Sequence, residues 1–208
     1  MNLPLHLKLK KKVHQTIAYA QDLIIEEIYH FFPKAVLHGG TAIWRCYQGN
    51  RFSEDIDVYL SERGRIDEFF ASLGKKGFRI LKKRVKANSL YSLLEFDRVQ
   101  VRFEAVFKKI SDYILKEYET AESTLINVYT LSPQELLEEK VAACLKRKKI
   151  RDLYDIFFLL RFVEEVELPV AELISVRIVD EENLQTLIIS GPIPSLSEIK
   201  RYIKEWAE

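Results

Sequence analysis

The sequence predicts a mixed α/β fold of the α+β kind, in which helices flank a mixed β-sheet core and a helical portion forms the C-terminal end. Two patterns carry this prediction. Apolar side chains recur at helical spacing near the start of the chain and again after Pro133, which is typical of amphipathic helices. Between these regions, the segments 78–85, 89–96 and 99–107 contain β-branched and aromatic residues and are separated by short polar breaks, as successive strands are.

Glycine, proline and polar residues divide the N-terminal half into predicted helices and strands. The first helix contains neither Gly nor Pro and stops at Pro33, and the third ends at Gly74 and Gly77, because glycine is favoured past a helix end. Gly39-Gly40 provides a sharp turn from strand to helix. The predicted helices are 5–32, 41–47 and 65–73, and the predicted strands are 35–38, 55–60, 78–85, 89–96 and 99–107.

The C-terminal region is predicted to be helical at 134–146 and 150–163. Ser132 is placed to cap the first of these helices, because Glu135 follows three residues later and completes a capping box. The tail from Val170 onward is also predicted to be helical, interrupted by the loop SGPIPS. No internal repeat or low-complexity segment is found.

Length and composition predict a folded chain in two parts. The 208 residues are enough to bury a sizeable core, and 48% of them are apolar, so disorder is not expected. We predict that residues 1–130 form the core with a long N-terminal helix. Residues 131–208 form the helical C-terminal region.

Charge and cysteine content exclude several classes of protein. The 32 basic and 31 acidic side chains leave a formal net charge of +1, so any affinity for nucleic acid must come from local basic patches. Cys46 and Cys144 form neither a metal-binding motif nor a disulfide framework. No window reaches the roughly 18 apolar residues of a membrane span. We therefore expect a cytoplasmic protein that does not enter the membrane.

Asp55 and Asp57 are the most informative residues of the chain. They lie at the start of a predicted strand and are separated by Ile56, so both side chains point to the same face while Ile56 points into the core. Two carboxylates side by side repel each other, and a divalent cation between them removes that repulsion. Oxygen ligands beside a phosphate group favour Mg²⁺. The pair therefore predicts a magnesium site.

Glu104 is the candidate for a third carboxylate. Alternation along the strand 99–107 places Arg102 and Glu104 on one face and Phe103 on the other. An unpaired Glu is costly to bury in so apolar a strand, which favours a role as a metal ligand or general base. The alternative is an ion pair with Arg102 or Arg51.

Gly39-Gly40, upstream of the acidic pair, predicts a phosphate cradle. Glycine lets the backbone approach a ligand closely, and the free N–H groups at the start of a helix attract anions. Glycine pairs are also common in ordinary turns. The order of turn, helix and acidic pair is what favours a site where phosphates lie beside a metal.

These residues resemble the nucleotidyltransferase superfamily, and most closely the AbiEii/AbiGii toxin family of type IV toxin–antitoxin systems. The family patterns are Gly-Gly-Thr-Ala, then Arg-x-Ser-x-Asp-x-Asp, and later a helical Lys followed by Arg-Asp-x-x-Asp. They match Gly39, Gly40, Thr41, Ala42, Arg51, Ser53, Asp55, Asp57, Lys140, Arg151, Asp152 and Asp155. The spacer between Gly40 and Asp55 is slightly longer than the commonest spacing between these motifs in the superfamily. Arg102 and Glu104 stand where relatives often have Lys and Asp.

The resemblance implies an enzyme that transfers NMP from an NTP to a hydroxyl group, with Mg²⁺ in a two-metal site. It implies metal binding by Asp55, Asp57 and Glu104, with Glu104 alternatively accepting a proton, and a catalytic role for Asp152. The implied nucleotide-binding residues are Gly39, Gly40, Thr41, Arg51, Ser53 and Lys140. It further implies a toxin with a cognate antitoxin, acting on tRNA or another RNA.

Other interpretations stay open at this point. Lys140 is alternatively a solvated lysine on a charged helix face, and Asp152 alternatively stabilises a helix dipole. The chain is alternatively a nucleotide-binding regulatory protein without turnover, or an enzyme that modifies a small molecule, as aminoglycoside nucleotidyltransferases do, or a protein side chain. The basic segments 8–12, 82–86 and 146–151 are either solvated faces or contacts to an RNA backbone.

Overall fold

The computed structural model of the chain describes residues 4–208, apart from the side chain of His6. Positions 1–3 of the predicted core lie outside the described residues. The chain divides into two compact units. The first unit comprises the residues up to Gln48 together with Ser53–Thr130, and the second comprises Gly49–Phe52 and Leu131–Glu208.

A mixed seven-stranded sheet organises the part of the first unit that the structure describes. The strand order is β3-β4-β5-β2-β1-β7-β6. Strand β2 runs parallel to β5, and β1 runs parallel to β7, whereas the other neighbours are antiparallel. The mixed sheet confirms the predicted fold class. The strands are β1 (Val36–His38), β2 (Asp55–Leu60), β3 (Arg79–Val85), β4 (Ser89–Phe96), β5 (Val99–Phe107), β6 (Ile114–Glu119) and β7 (Leu125–Thr130).

The hairpin of β6 and β7 is the main element that the sequence patterns did not predict. Strand β6 is at the sheet edge, and Tyr118 is its one buried side chain. Strand β7 buries Val128 and Thr130 and leaves most of its other residues in contact with solvent. With so few buried positions, the two strands lack the strict alternation by which a half-buried strand is recognised.

Three helices pack against the sheet: α2 (Lys12–Phe31), α3 (Gly39–Cys46) and α4 (Ile66–Lys75). A separate short helix, α1 (Leu5–Lys8), precedes them, so the single long helix predicted at 5–32 is wrong. The chain leaves the helical conformation at Leu9, whose side chain is buried and whose carbonyl accepts a hydrogen bond from the Gln15 side chain.

The second unit is helical, as predicted for the C-terminal portion. Ser132 and Glu135 form the predicted capping box at the start of α5. The backbone of Asn50 and Phe52 pairs with Ile189 and Leu187, which attaches the segment 49–52 to this unit. None of the helices described for residues 4–208 is long and apolar enough to cross a membrane. The helices are α5 (Pro133–Arg147), α6 (Ile150–Leu159), α7 (Val170–Ser175), α8 (Leu184–Leu187) and α9 (Leu196–Trp206).

Candidate active site

Three carboxylates, which we call the acidic row, lie across the parallel strands β2 and β5: Asp55, Asp57 and Glu104. In the pairing register, Asp57 is opposite Glu104 and Asp55 is opposite Arg102. The intervening residues of both strands, such as Ile56, are buried in the core, while the carboxylates remain partly exposed. The acidic row therefore projects from the polar face of the sheet, as the alternation predicted.

Gly39 brings the backbone against Asp57. Its φ of 70° lies in the left-handed region that favours glycine. A Cβ atom at this position would lie 2.6 Å from Oδ2 of Asp57, so a side chain here would displace the Asp57 carboxylate. Helix α3 begins at Gly39 itself rather than at Thr41, because the chain turns directly out of β1. Gly40 is buried in the first turn of this helix.

Two buried side chains hold the backbone from which the acidic row projects. The Thr41 hydroxyl donates a hydrogen bond to the carbonyl of Asp55, and the Gln21 amide donates to the carbonyl of Ser53 at 2.9 Å. Thr41 and Gln21 are both inaccessible to solvent. Nucleotide binding by Thr41 and Ser53 stays a prediction. Gln21 was missed, although a polar residue between Ile17 and Ile24 on the apolar face of a helix is a detectable signal.

Arg102 offsets part of the negative charge of the acidic row. Its Nε and Nη2 atoms donate to Oδ1 and Oδ2 of Asp55 at 3.0 and 2.8 Å. The Nε atom of Arg102 also lies 3.7 Å from Oε1 of Glu104. An ion pair with Arg102 is one of the two pairings that the sequence left open as an alternative role for Glu104. Partial burial opposes the charge of Arg102, but the Asp55 and Glu104 carboxylates outweigh it and raise the pKa of the guanidinium.

The donor atoms of the acidic row fit Mg²⁺ by type. Carboxylate oxygens are the hard ligands that Mg²⁺ prefers, and Gly39 keeps the space beside Asp57 free of a side chain. Within residues 4–208, no three Asp, Glu, His or Cys side chains already converge as a complete metal site. Both oxygens of Asp55 bind Arg102, yet a carboxylate offers about four acceptor positions, so Asp55 retains the capacity to bind a cation.

The remaining candidates belong to a set of paired charges in the second unit, which we call the charge network: Arg51, Lys140, Arg147, Asp152 and Asp155. All of these except Arg147 are buried. Arg51 donates through Nε and Nη2 to the two oxygens of Asp155, both at 2.7 Å. The Nζ atom of Lys140 lies 2.8 Å from Oδ2 of Asp155 and 3.8 Å from Oδ1 of Asp152. Arg147 binds both oxygens of Asp152. Three cations face two anions, so the network has a net charge of +1.

Burial excludes one of the two interpretations of Lys140, whereas the role of Asp152 stays a prediction. Lys140 is 6% exposed and Asp152 is inaccessible, so the interpretation of Lys140 as a solvated lysine is wrong. The N–H group of Ile150 at the start of α6 is satisfied by Asp180 at 2.8 Å, while the Asp152 carboxylate binds Arg147. Burial alone would raise the pKa of Asp155, but Arg51 and Lys140 hold it below its usual value. Direct binding of NTP by Lys140 stays a prediction.

Neither cysteine has the properties of a nucleophile. Burial raises the pKa of Cys46 to about 12 and that of Cys144 to about 11. Because the thiolate is the reactive form, both thiols are inert near neutral pH. The acidic row and the charge network therefore contain the side chains suited to chemistry on a phosphate.

Comparison with known proteins identifies the family. The protein-family model described as nucleotidyl transferase AbiEii toxin, type IV toxin–antitoxin system, matches residues 25–202. No curated protein sequence matches the chain. The crystal structure of JHP933 from Helicobacter pylori has a TM-score of 0.70 and 19% identity, covering 95% of this chain and 91% of that chain. MenT4, a nucleotidyltransferase toxin from Mycobacterium tuberculosis, has a TM-score of 0.62 and 15% identity, covering 99% and 88%.

At these identities, the two solved structures show a shared fold. The family match goes further, because it spans most of the chain and includes every residue of the acidic row and the charge network. It confirms the resemblance seen in the sequence motifs. The chain belongs to the AbiEii family of nucleotidyl transferase toxins, and it is a nucleotidyltransferase.

Proposed function

We propose that this enzyme transfers NMP from an NTP to a hydroxyl group of RNA, with tRNA as the acceptor and Mg²⁺ as the cofactor. The observation that carries the proposal is the acidic row, held in register on two parallel strands beside Gly39. Neighbouring carboxylates repel each other and lower the stability of the fold. Binding a cation that the reaction needs is a physical reason for keeping three of them on one polar face.

The proposed reaction replaces one bond to phosphorus with another. The acceptor oxygen forms a bond to the α-phosphorus of the NTP, and the bond from that phosphorus to the leaving pyrophosphate breaks. Asp55 and Asp57 would hold Mg²⁺, whose positive charge stabilises the negative charge that develops on the phosphate oxygens. Glu104, whose side chain is 42% exposed, would complete a second metal site or accept the proton of the attacking hydroxyl.

Nucleotide binding is assigned to groups that favour anions. The backbone N–H groups of Gly39 and Gly40 at the start of α3 attract phosphate oxygens. The charge network has one more cation than anions, so it favours the approach of an additional negative group. The assignment of Arg51 and Lys140 to NTP binding, and of Asp152 to catalysis, comes from the family motifs and remains a proposal.

The RNA acceptor and a cognate antitoxin are further parts of the proposal. The family is that of toxins from type IV toxin–antitoxin systems, and such a system pairs a toxin with an antitoxin. RNA as the acceptor would make nucleotide transfer toxic, because blocking a tRNA hydroxyl would stop its use. The acceptor hydroxyl itself is supplied by the substrate.

Nucleotide transfer by Asp57→Asn tests the role of the acidic row. Each labelled NTP is incubated with Mg²⁺ and total RNA, and the labelled RNA fraction is identified. We expect wild-type enzyme to label tRNA and the variant to lose at least about 100-fold in rate, because even residues that only support a metal ligand are worth ten- to 100-fold. Glu54→Gln is the matched control, because Glu54 is an exposed carboxylate next to Asp55 in the sequence.

Several outcomes would contradict the proposal. Full activity in Asp57→Asn, or in wild-type enzyme with EDTA, would remove the acidic row and its metal from the mechanism. Label on a small hydroxyl compound or on a protein instead of RNA would replace the acceptor. NTP binding without transfer to any acceptor would favour a regulatory protein. The thermal unfolding midpoint of Asp57→Asn should not fall, because the substitution removes repulsion between neighbouring carboxylates. An unchanged midpoint would show that a loss of activity in this variant is not caused by unfolding.

A further inference from the structure

A basic cavity of about 440 Å³ opens in the first unit, beside the ends of β2 and β5. We call it the lysine pocket. Its walls contain cations, aromatic rings and hydroxyl groups, and no carboxylate lines it. The side chains that matter for the argument are Lys34, Lys108, Lys109, Tyr59, Tyr113 and Ser61. Lys108 and Lys109 directly follow strand β5, outside the three basic segments of the sequence.

The three lysines of the pocket are not neutralised by direct ion pairs among the described residues. Lys34, Lys108 and Lys109 are exposed, and none of the ion pairs found among residues 4–208 involves them. The Nζ atom of Lys108 lies 5.7 Å from the centroid of the Tyr59 ring. In a chain with a formal net charge of only +1, three such lysines around one cavity form a local site for anions.

The lysine pocket adjoins the acidic row on the same face of strand β2. Tyr59 is two residues beyond Asp57 on β2, and alternation therefore places both side chains on the polar face. Two residues of a strand span about 6.6 Å, so the two sites are neighbours. The N–H group of Lys108 donates to the carbonyl of Leu60 at 2.9 Å, which fixes the start of the loop after β5 at this end of β2.

We propose that the lysine pocket binds the sugar–phosphate backbone of the RNA acceptor near its reacting end. This inference rests on the proposed function, since it adds the place where the acceptor strand lies. The cavity volume falls within the range of about 300–1,000 Å³ of sites for small ligands and single groups. Lysines bind phosphates as point charges, and cations with aromatic rings form the usual surface for single-stranded nucleic acid. Tyr59 and Tyr113 supply the aromatic rings.

Two features favour RNA over a protein partner at this site. Lysine and serine are depleted at protein–protein interfaces, yet they make up much of the accessible wall of the lysine pocket. The Tyr59 ring is also held in a fixed orientation, because it stacks on His38 with 4.1 Å between centroids and 16° between ring planes. A rigid aromatic surface beside cations suits a base or sugar of a single strand.

The test compares two triple variants of equal charge. The pocket variant is Lys34→Gln, Lys108→Gln and Lys109→Gln. The control carries Lys75→Gln, Arg98→Gln and Lys204→Gln, which are exposed cations outside the lysine pocket and outside the three basic segments. Binding of a short labelled oligoribonucleotide and of tRNA is followed by fluorescence anisotropy over a salt series, without NTP. We expect the pocket variant to bind at least about tenfold more weakly, and its log–log salt slope to flatten by about 0.7 for each phosphate group that the variant no longer binds.

The control variant and NTP affinity, measured by calorimetry, should stay close to wild type. Equal RNA affinity and slope in the pocket variant would overturn the inference, and so would an equally weakened control, which would indicate diffuse charge. Loss of NTP affinity in the pocket variant would show that the cavity binds the triphosphate. Loss of antitoxin binding with RNA binding intact would show that the cavity binds a protein. Either result would overturn the inference that it binds RNA. RNA binding through the pocket without any nucleotide transfer to RNA would support the inference while contradicting the proposed function.

Discussion

At the scale of single residues, Arg102 has the most consequential contact. It donates to both oxygens of Asp55 and lies 3.7 Å from Glu104, so it offsets the repulsion within the acidic row. A bound divalent cation would serve the same electrostatic purpose. Two positive groups beside the same carboxylates repel each other, so we expect Arg102 to stabilise the metal-free protein and to weaken binding of the proposed metal.

Substitution Arg102→Gln is therefore expected to have opposite effects on stability and on metal affinity. In EDTA, the variant should lose at most about 1 kcal/mol of unfolding free energy, because the pair is partly exposed. That corresponds to a fall of about 2–4 °C in Tm. On adding Mg²⁺, the Tm of the variant should rise more than that of wild type, because the competing charge is gone. Differential scanning fluorimetry over a Mg²⁺ series measures both effects.

Arg79→Gln is the control for this comparison. Arg79 forms a 2.7 Å ion pair with Glu95 at the exposed edge of the sheet, away from the acidic row in the strand order. Its loss should not change the response of Tm to Mg²⁺. An Arg102→Gln protein that responds to Mg²⁺ no more strongly than Arg79→Gln would show that Arg102 and the metal do not compete.

At the scale of elements, α5 and α6 are joined by charged groups as well as by apolar packing. Lys140 on α5 reaches Asp155 on α6, and the segment 49–52 contributes Arg51 to the same carboxylate. The two cations are not equivalent. Arg51 makes a bidentate pair with Asp155, whereas Lys140 shares Asp155 with Arg51 and lies 3.8 Å from Asp152, which Arg147 also binds.

The substitutions Lys140→Met and Arg51→Met separate nucleotide binding from folding. Without Lys140, both carboxylates of the network keep an arginine, so the change in stability should be small. If Lys140 contacts the triphosphate, loss of that charge-assisted bond should weaken NTP binding about ten- to 100-fold. Arg51→Met should instead cost about 3–5 kcal/mol, because it breaks a buried bidentate pair. Calorimetry with NTP and chemical denaturation give the two readouts, and unchanged NTP affinity in Lys140→Met would return this residue to a structural role.

At the scale of the whole molecule, the near-neutral charge means that binding to RNA depends on patches. The basic segment 146–151 is one candidate, and the structure shows which of its charges are available. Lys146 and Lys148 are exposed, whereas Arg147 binds Asp152 and Lys149 lies 3.5 Å from Asp180. Lys146 and Lys148 are thus the exposed cations of this segment that form no ion pair among the described residues.

The double variant Lys146→Gln, Lys148→Gln should weaken tRNA binding and reduce its salt dependence. For each phosphate of a duplex region that the variant no longer binds, the log–log slope should flatten by about 0.9, while NTP affinity is retained. The control is Lys75→Gln, Lys204→Gln, which removes the same charge from exposed positions outside the basic segments. Anisotropy measurements over a salt series distinguish the two. If both double variants bind tRNA as wild type does, the segment is a solvated face.

Much of the fold and several site residues could be predicted from the sequence because they depend on local pattern. Strands β2, β4 and β5 were predicted with their observed bounds, since every second residue in the middle of each strand is buried. The hairpin of β6 and β7 was missed because its side chains are mostly accessible and its pairing, not its own pattern, makes it a sheet edge.

The sequence by itself determined the family, the polar face of β2 and β5, and the identity of the acidic row, because motif spacing and strand alternation are properties of neighbouring residues. The tertiary structure alone decided which charges meet. Arg51 and Asp155 are 104 residues apart in the chain and form a pair only because the backbone of segment 49–52 hydrogen-bonds within the second unit. The pairing of Arg102 with Asp55, and the grouping of three lysines around one cavity, likewise follow from strand register and loop packing, which residue type does not specify.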